Sequence, residues 1–395
     1  MVAWRRIGGV GGVCNQNSSR CTAISGIAPA NVAANNWNLP GVCVAGATAT
    51  LDDGPAIQYD WAGSALWATA LDLNTQNVRL HIFNNCGAAI PGQPGCPLTS
   101  PLAMTVGTTN GKSHPNVLVN PSTHHGIVSF IDSSDRVNVK FYTVNGVLSS
   151  SFVLAGFDGA FFARNTGCPA PNPQTQNQAI AKCTGPGNPT DCTSMGGSTC
   201  SRLVPRVQMA EKFDGAALKQ YLYLAYDINC GIIGFDNFKT RVRVYDITNE
   251  TAPVFVRDVW STGSSVPTAC ASATQEFMGT VESARGSPNV GFYFYRQGLT
   301  NGNYDPCKTD FRGKISTSNT FASTAEVVFS QSTFPTVVFS WTMGDYVGTT
   351  DGLAFGNLYP TWAEPRVSVG TPMSGCVKCG TLNYALVVRG NTAVP

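Results

Sequence analysis

The chain has 395 residues, of which 12% are charged, with a formal net charge of +2, 41 glycines and 24 prolines. A balance this even, with no cluster of Lys and Arg, excludes a nucleic-acid surface built on counterion release, and no apolar run reaches the roughly 18 residues of a membrane-spanning helix. Length alone suggests two or three domains. Abundant Gly, Pro, Thr, Ser, Asn and Val, with no long apolar period of 3.6, favour instead an all-β chain whose stacked repeats count as one domain.

The N-terminus, Met1-Val2-Ala3-Trp4-Arg5-Arg6, lacks the apolar core of an export signal and reads as a strand, so the natural start, with any signal, is expected upstream. Trp4 to Val13 and Cys21 to Ile27 supply part of a first unit. Strands are then predicted at Ala56 to Trp61, Ser64 to Leu71 and Asn77 to Phe83, separated by polar turns. A second unit runs through Asn116 to Val119, Gly126 to Ile131, Val137 to Thr143 and Ser151 to Ala155.

From Asn165 to Cys200 the alternation stops, and this Cys- and Pro-rich stretch reads as an insertion loop too polar to order itself by burial. The pattern resumes at Val204 to Met209, Gln220 to Tyr226, Arg241 to Asp246 and Val254 to Val259. A fourth unit spans Thr274 to Val281, Asn289 to Arg296, Lys314 to Ser318 and Ala325 to Phe329. The fifth is a hairpin of Tyr346 to Thr350 and Asn357 to Trp362, joined by Asp351 to Gly356, with Leu382 to Val388 as its third strand.

Four short strands joined by tight turns form the meander of a propeller blade. Anchors at His114, Arg206, Glu276 and Asp345 are 92, 70 and 69 residues apart, and removing the 36-residue insertion brings the first gap to 56. This period is longer than that of WD40 or kelch repeats and lacks their signatures. Five units plus the N-terminal strands predict a six-bladed β-propeller of four-stranded antiparallel blades, a single domain over 1–395. Closure is expected to pair the Trp4 region with the Tyr384 strand, removing exposed edges. A pair of β-sandwiches or a β-solenoid is the alternative that the uneven period leaves open.

Fourteen cysteines, most in short loops rich in Gly, Pro, Asn and Thr, predict disulfide-stapled loops and an oxidising compartment, hence secretion or a cell-surface location. Zinc is the competing reading of Cys376-x-x-Cys379, but no second such pair and no nearby His completes four ligands. No cofactor is expected. Calcium on Asp52-Asp53-Gly54 or Asp132-Ser133-Ser134-Asp135 is the open alternative, which an Asx turn fits equally well.

Gly344, Asp345, Tyr346, Gly348, Trp362, Glu364 and Arg366 form a pattern that resembles the sialidase-like (BNR-repeat) superfamily of secreted bacterial propellers, with Glu364 where that family more often has Asp. The resemblance implies a central funnel lined by blade-start side chains: Tyr59, Asp60, His114, Asn116, Arg206, Gln275, Glu276, Asp345 and Tyr346. Sialidase chemistry needs arginines that grip a carboxylate, an acid that protonates or relays, and a tyrosine nucleophile activated by a glutamate. The catalytic candidates by this reading are Glu276, Asp345, Tyr346, Arg206 and His114.

The chain has no Ser-x-Asp-x-Gly-x-Thr-Trp box and no Arg-Ile-Pro or Arg-Leu-Pro near the start, so architecture transfers more safely than activity. Binding of a glycan or another cell-surface polymer, as a module of an extracellular protein, is therefore the first expectation. A glycoside hydrolase or polysaccharide lyase at the funnel is the second, and a structural subunit assembling with other extracellular proteins is the third. His124-His125 reads as an exposed turn pair, and Phe292-Tyr293-Phe294-Tyr295 as a strand packed between blades.

Overall fold

The computed structural model describes side chains at residues 54–60, 62–84, 102–109, 113–155, 206–228, 238–263, 272, 274–284, 287–298, 309–330, 358 and 360, and elsewhere the backbones of strands alone. Every regular element among the described residues is a β-strand. The chain forms two compact units, Met1–Ala155 with Asn249–Ala252, and Gly156–Thr248 with Pro253–Pro395.

Each unit contains two four-stranded antiparallel meanders whose spatial order follows the chain. In the first unit, the first meander is Asp52–Asp60, Ala65–Asp72, Asn77–Phe83 and Leu102–Thr108. The second is Asn116–Val119, Gly126–Ile131, Val137–Tyr142 and Leu148–Leu154. In the second unit, the third meander is Gln208–Asp214, Lys219–Asn229, Phe238–Asp246 and Val254–Trp260. The fourth is Gln275–Ser283, Val290–Thr300, Asn303–Ser316 and Ala325–Val328.

Aspartates at strand ends close the hairpins by accepting backbone N–H bonds two or three residues on, a local geometry that competes with continuing the ladder. Asp72 accepts from Asn74 at 3.0 Å, Asp132 from Ser134 at 2.9 Å, Asp214 from Ala216 at 3.0 Å and Asp246 from Thr248 at 3.0 Å. At 132–135 the Asx turn is therefore what forms. Asp132 also takes Arg136 Nε at 2.8 Å and Asn138 Nδ2 at 3.0 Å, so N–H donors face both its oxygens.

Burial grades across each sheet. Ala65–Asp72 and Gly126–Ile131 are buried at every position and Phe238–Asp246 at all but Asp246, whereas the fourth strands are largely exposed. Both faces of these middle strands are thus covered, which is why residues 65–71 and Gly126–Ile131 read as nearly continuous apolar runs, while Phe238–Asp246 buries Lys239, Arg241 and Arg243 among its apolar residues. In the first unit, Trp67, Leu80 and Ile82 of one meander pack with Val117, Val128 and Phe130 of the next. In the second, Tyr223, Val242 and Val244 pack with Val281, Phe292 and Phe294. Each such side chain removed from water contributes about 1.5–3 kcal/mol. All four of Phe292, Tyr293, Phe294 and Tyr295 are fully buried, as expected for a strand between packed sheets.

Within each unit the first strands of its two meanders lie side by side, Asp52–Asp60 with Asn116–Val119 and Gln208–Asp214 with Gln275–Ser283. In three meanders the fourth strand carries one extra residue, where pairing slips between Val78 and Arg79, Phe141 and Tyr142, and Val244 and Tyr245.

Outside the meanders, Gly348–Asp351 pairs with Leu358–Trp362 as the predicted hairpin. Its third strand is Arg389–Gly390, because Thr381–Leu386 pairs instead with Pro365–Ser368. Val2–Ile7 pairs with Arg20–Ser25. The 165–200 stretch contributes to a two-stranded ribbon, Ala179–Lys182 with Cys200–Arg202. All fourteen cysteine side chains, and Asp345 and Tyr346, lie outside the described ones.

Candidate functional site

Glu276 is the second residue of its strand and is fully buried. Lys239 Nζ lies 3.1 Å from Glu276 Oε2, and Arg296 Nε donates to Glu276 Oε1 at 3.0 Å. Thr274 Oγ1 donates to Oε1 at 2.5 Å, and Lys239 Nζ also donates to the Thr274 carbonyl. Burying charges so deeply is favourable only because each finds a counter-charge and hydrogen bonds. Arg296 continues the network outward to Glu326 at 2.7 Å, and Arg312 joins Glu326 to Asp310 at 2.8 and 2.6 Å. Burial lowers the affinity of the Lys239 and Lys314 amines for protons, against the pull of Glu276 or Glu326.

Beside this network the Gln275–Ser283 strand bulges between Phe277 and Thr280, with Met278 at φ 55°. Asp227, at the end of a strand in the adjacent meander, holds the bulge by accepting Met278 N–H at 2.9 Å and Gly279 N–H at 3.1 Å. Burial pushes the Asp227 carboxyl up to about 6, against the hydrogen bonds from Gly279, Thr240 and Met278. Gly279 is required by contact, since a Cβ there would lie 1.8 Å from Thr240 Oγ1.

Arg206 stands half-buried two residues ahead of Gln208–Asp214. His114, in the first unit, is 2% exposed and packs against Gly54, whose φ is +56° and where a Cβ would fall 2.2 Å from the His114 Cγ. His114 thus sits by the start of Asp52–Asp60, whereas Tyr59 and Asp60 close that strand. The expected grouping of Tyr59 and Asp60 with His114 is therefore divided between the two ends of one strand.

The Asp60 end carries a second polar cluster that sequence reading set aside. His124, at φ 59°, places Nδ1 3.0 Å from Asp60 Oδ2, and His125 Nδ1 lies 2.6 Å from Glu250 Oε2. Glu250 Oε1 accepts from Asn120 Nδ2 and Thr123 Oγ1, both at 2.6 Å. Asp60 Oδ1 accepts the N–H groups of Ala62 at 3.1 Å and Gly63 at 2.9 Å. Nothing near Glu250 in sequence announces this contact, which spans 125 residues to His125. Among the described residues no group of three or more His, Cys, Asp and Glu is arranged to hold a metal ion, and no helix is long and apolar enough to cross a membrane.

No protein-family model matches this sequence, and no curated protein does. Among solved structures, the chain is similar to the GH93 α-L-arabinofuranosidase of Fusarium graminearum bound to arabinobiose, at 10% identity over 80% of this chain and 75% of that one, with a TM-score of 0.42. It is similar also to an α-L-arabinofuranosidase from Lactobacillus brevis, at 10% identity over 86% and 90%, with a TM-score of 0.32. A third is the Aleuria aurantia lectin in complex with Fucα1-6GlcNAc, at 10% identity over 86% and 96%, with a TM-score of 0.28.

Proposed function

We propose that the protein is a secreted, disulfide-stapled, sialidase-like β-propeller that binds glycan or another cell-surface polymer, one propeller spanning the chain as a module of an extracellular protein. The sequence pattern at Gly344 to Arg366 supports the family reading, and the side-by-side first strands in each unit support a blade arrangement. The observation that carries binding over hydrolysis is the clamp on Glu276. A glutamate that activates a tyrosine nucleophile must keep an oxygen available to it, and both oxygens of Glu276 are already paired with Lys239 and Arg296. The same holds for Asp60 and Glu250 in the first unit. Partnered carboxylates of this kind fix and orient polar surfaces.

A glycan array read alongside release from fluorogenic sialosides and uronides tests the reading. Retention on the array without turnover is the expected outcome. Glu276→Gln leaves Lys239 and Arg296 facing a neutral amide and is expected to cost about 3 kcal/mol of stability in urea unfolding, without abolishing retention. Turnover by the wild type that vanishes in Glu276→Gln while stability is unchanged would make the protein a hydrolase instead.

A further inference from the structure

Two buried carboxylates are spent on two neighbouring imidazoles at the 120–125 turn. The side chains of Asp60 and Glu250 are 5% and 7% exposed, those of His124 and His125 40% and 23%. A carboxylate only accepts, so each imidazole must present Nδ1–H to its partner, which in the neutral ring leaves Nε2 as a bare acceptor. Ala62 and Gly63 donate to the other oxygen of Asp60, and Asn120 and Thr123 to the other oxygen of Glu250, so both carboxylates are held in place opposite the rings. His124 also holds a left-handed backbone, at φ 59°, that a residue with a Cβ adopts at a cost. Fixed orientation, partial exposure and local strain together describe a preorganised contact surface rather than a solvated turn.

We infer that His124 and His125 form a saccharide-contact site, each accepting a hydroxyl proton of a neutral sugar at Nε2, with Asp60 and Glu250 as positioning residues. The inference rests on the glycan-binding reading and gives it a place and a ligand class. Two directed acceptors suit hydroxyl donors and offer nothing to a carboxylated sugar.

The test replaces each histidine by asparagine, because the amide nitrogen reproduces Nδ1–H toward the carboxylate while removing Nε2. Titration calorimetry uses the neutral methyl glycosides of glucose, galactose, arabinose and fucose, with the methyl glycoside of sialic acid as the charged comparison. The expected result is that at least one neutral glycoside binds the wild type and binds His124→Asn or His125→Asn about five- to tenfold more weakly, with Tm changed by no more than about 1 °C. Equal affinity for wild type and both variants overturns the site while leaving glycan binding standing. Binding of the sialoside alone overturns the ligand class, and binding of none of the five, with an empty glycan array, removes the glycan reading and this site with it. Should either variant unfold, nitrogen-15 imidazole spectra of the wild type decide. Nδ1–H tautomers whose Nε2 resonances shift on adding a bound glycoside are expected, and Nε2–H tautomers or unmoved resonances overturn the proposal.

Discussion

His81 and Asp227 are both buried titratable side chains, and acid moves their contributions to stability in opposite directions. Burial, with Arg79 adding to it, pulls His81 down to about 4, and neither ring nitrogen finds a hydrogen-bond partner among the described residues. The unfolded chain therefore takes up a proton near pH 6.5 that the folded chain refuses until about pH 4, so the contribution is complete above 6.5 and is lost as pH falls through 4, about 3 kcal/mol in all. Asp227 is the reverse case, raised to about 6 by burial. The folded chain binds that proton first, so its contribution is complete below about pH 4 and is lost as pH rises through 6, again by about 3 kcal/mol. Urea unfolding between pH 4 and 7 should show His81→Leu gaining stability chiefly at the acid end. Asp227→Asn should lose the decline between pH 4 and 6, and should be weaker overall because an amide NH₂ then faces an N–H of the bulge. Parallel pH profiles for wild type and variants would contradict both assignments.

At the scale of the element, the bulge in Gln275–Ser283 depends on a close approach between neighbouring strands. Gly279→Ala drives a methyl into Thr240 Oγ1 and presses Gly279 N–H away from Asp227. A loss of about 1–3 kcal/mol is expected, the range for overpacking a filled site, with hydrogen exchange at the 278 and 279 amides accelerated well beyond the rest of the strand. Uniform exchange rates would remove the role given to Asp227. This bulge also shows where sequence reading stops. The strand itself was legible from Thr274 to Val281, and most meander strands from their runs of β-branched and aromatic residues bounded by turn residues. Lys239, Arg241 and Arg243 alternate with less polar neighbours, yet all three are buried, because a second sheet and opposite charges cover them. Alternation reports which residues share a face. It does not report what lies against that face, so the Glu276 clamp and the Glu250 contacts, made across 20 to 130 residues, had no local signature.

For the whole molecule, the fourteen cysteines bear on the compartment more directly than any folded feature. Thiol titration in denaturant without reductant is expected to find none free, and reduction should lower Tm steeply, at about 2–4 kcal/mol for each bridge opened. Fourteen titratable thiols would end the stapled, secreted reading. All-β character and the four-stranded repeat were readable at this scale because they are written in composition and spacing. The partner of the Thr381–Leu386 strand was not, since several short strands of similar pattern compete for the same edge.

The slipped pairing at the fourth strands of three meanders has a colloidal consequence. An outermost strand that is straight and apolar invites a neighbouring molecule to add on, and exposed Leu148, Val153, Val254 and Phe255 lie on the outermost strands of two of these meanders. One extra residue coils each of these borders and interrupts its ladder of donors and acceptors, so a second copy finds no long template to lie along. Each of these three borders thereby resists edge-to-edge addition through its own shape.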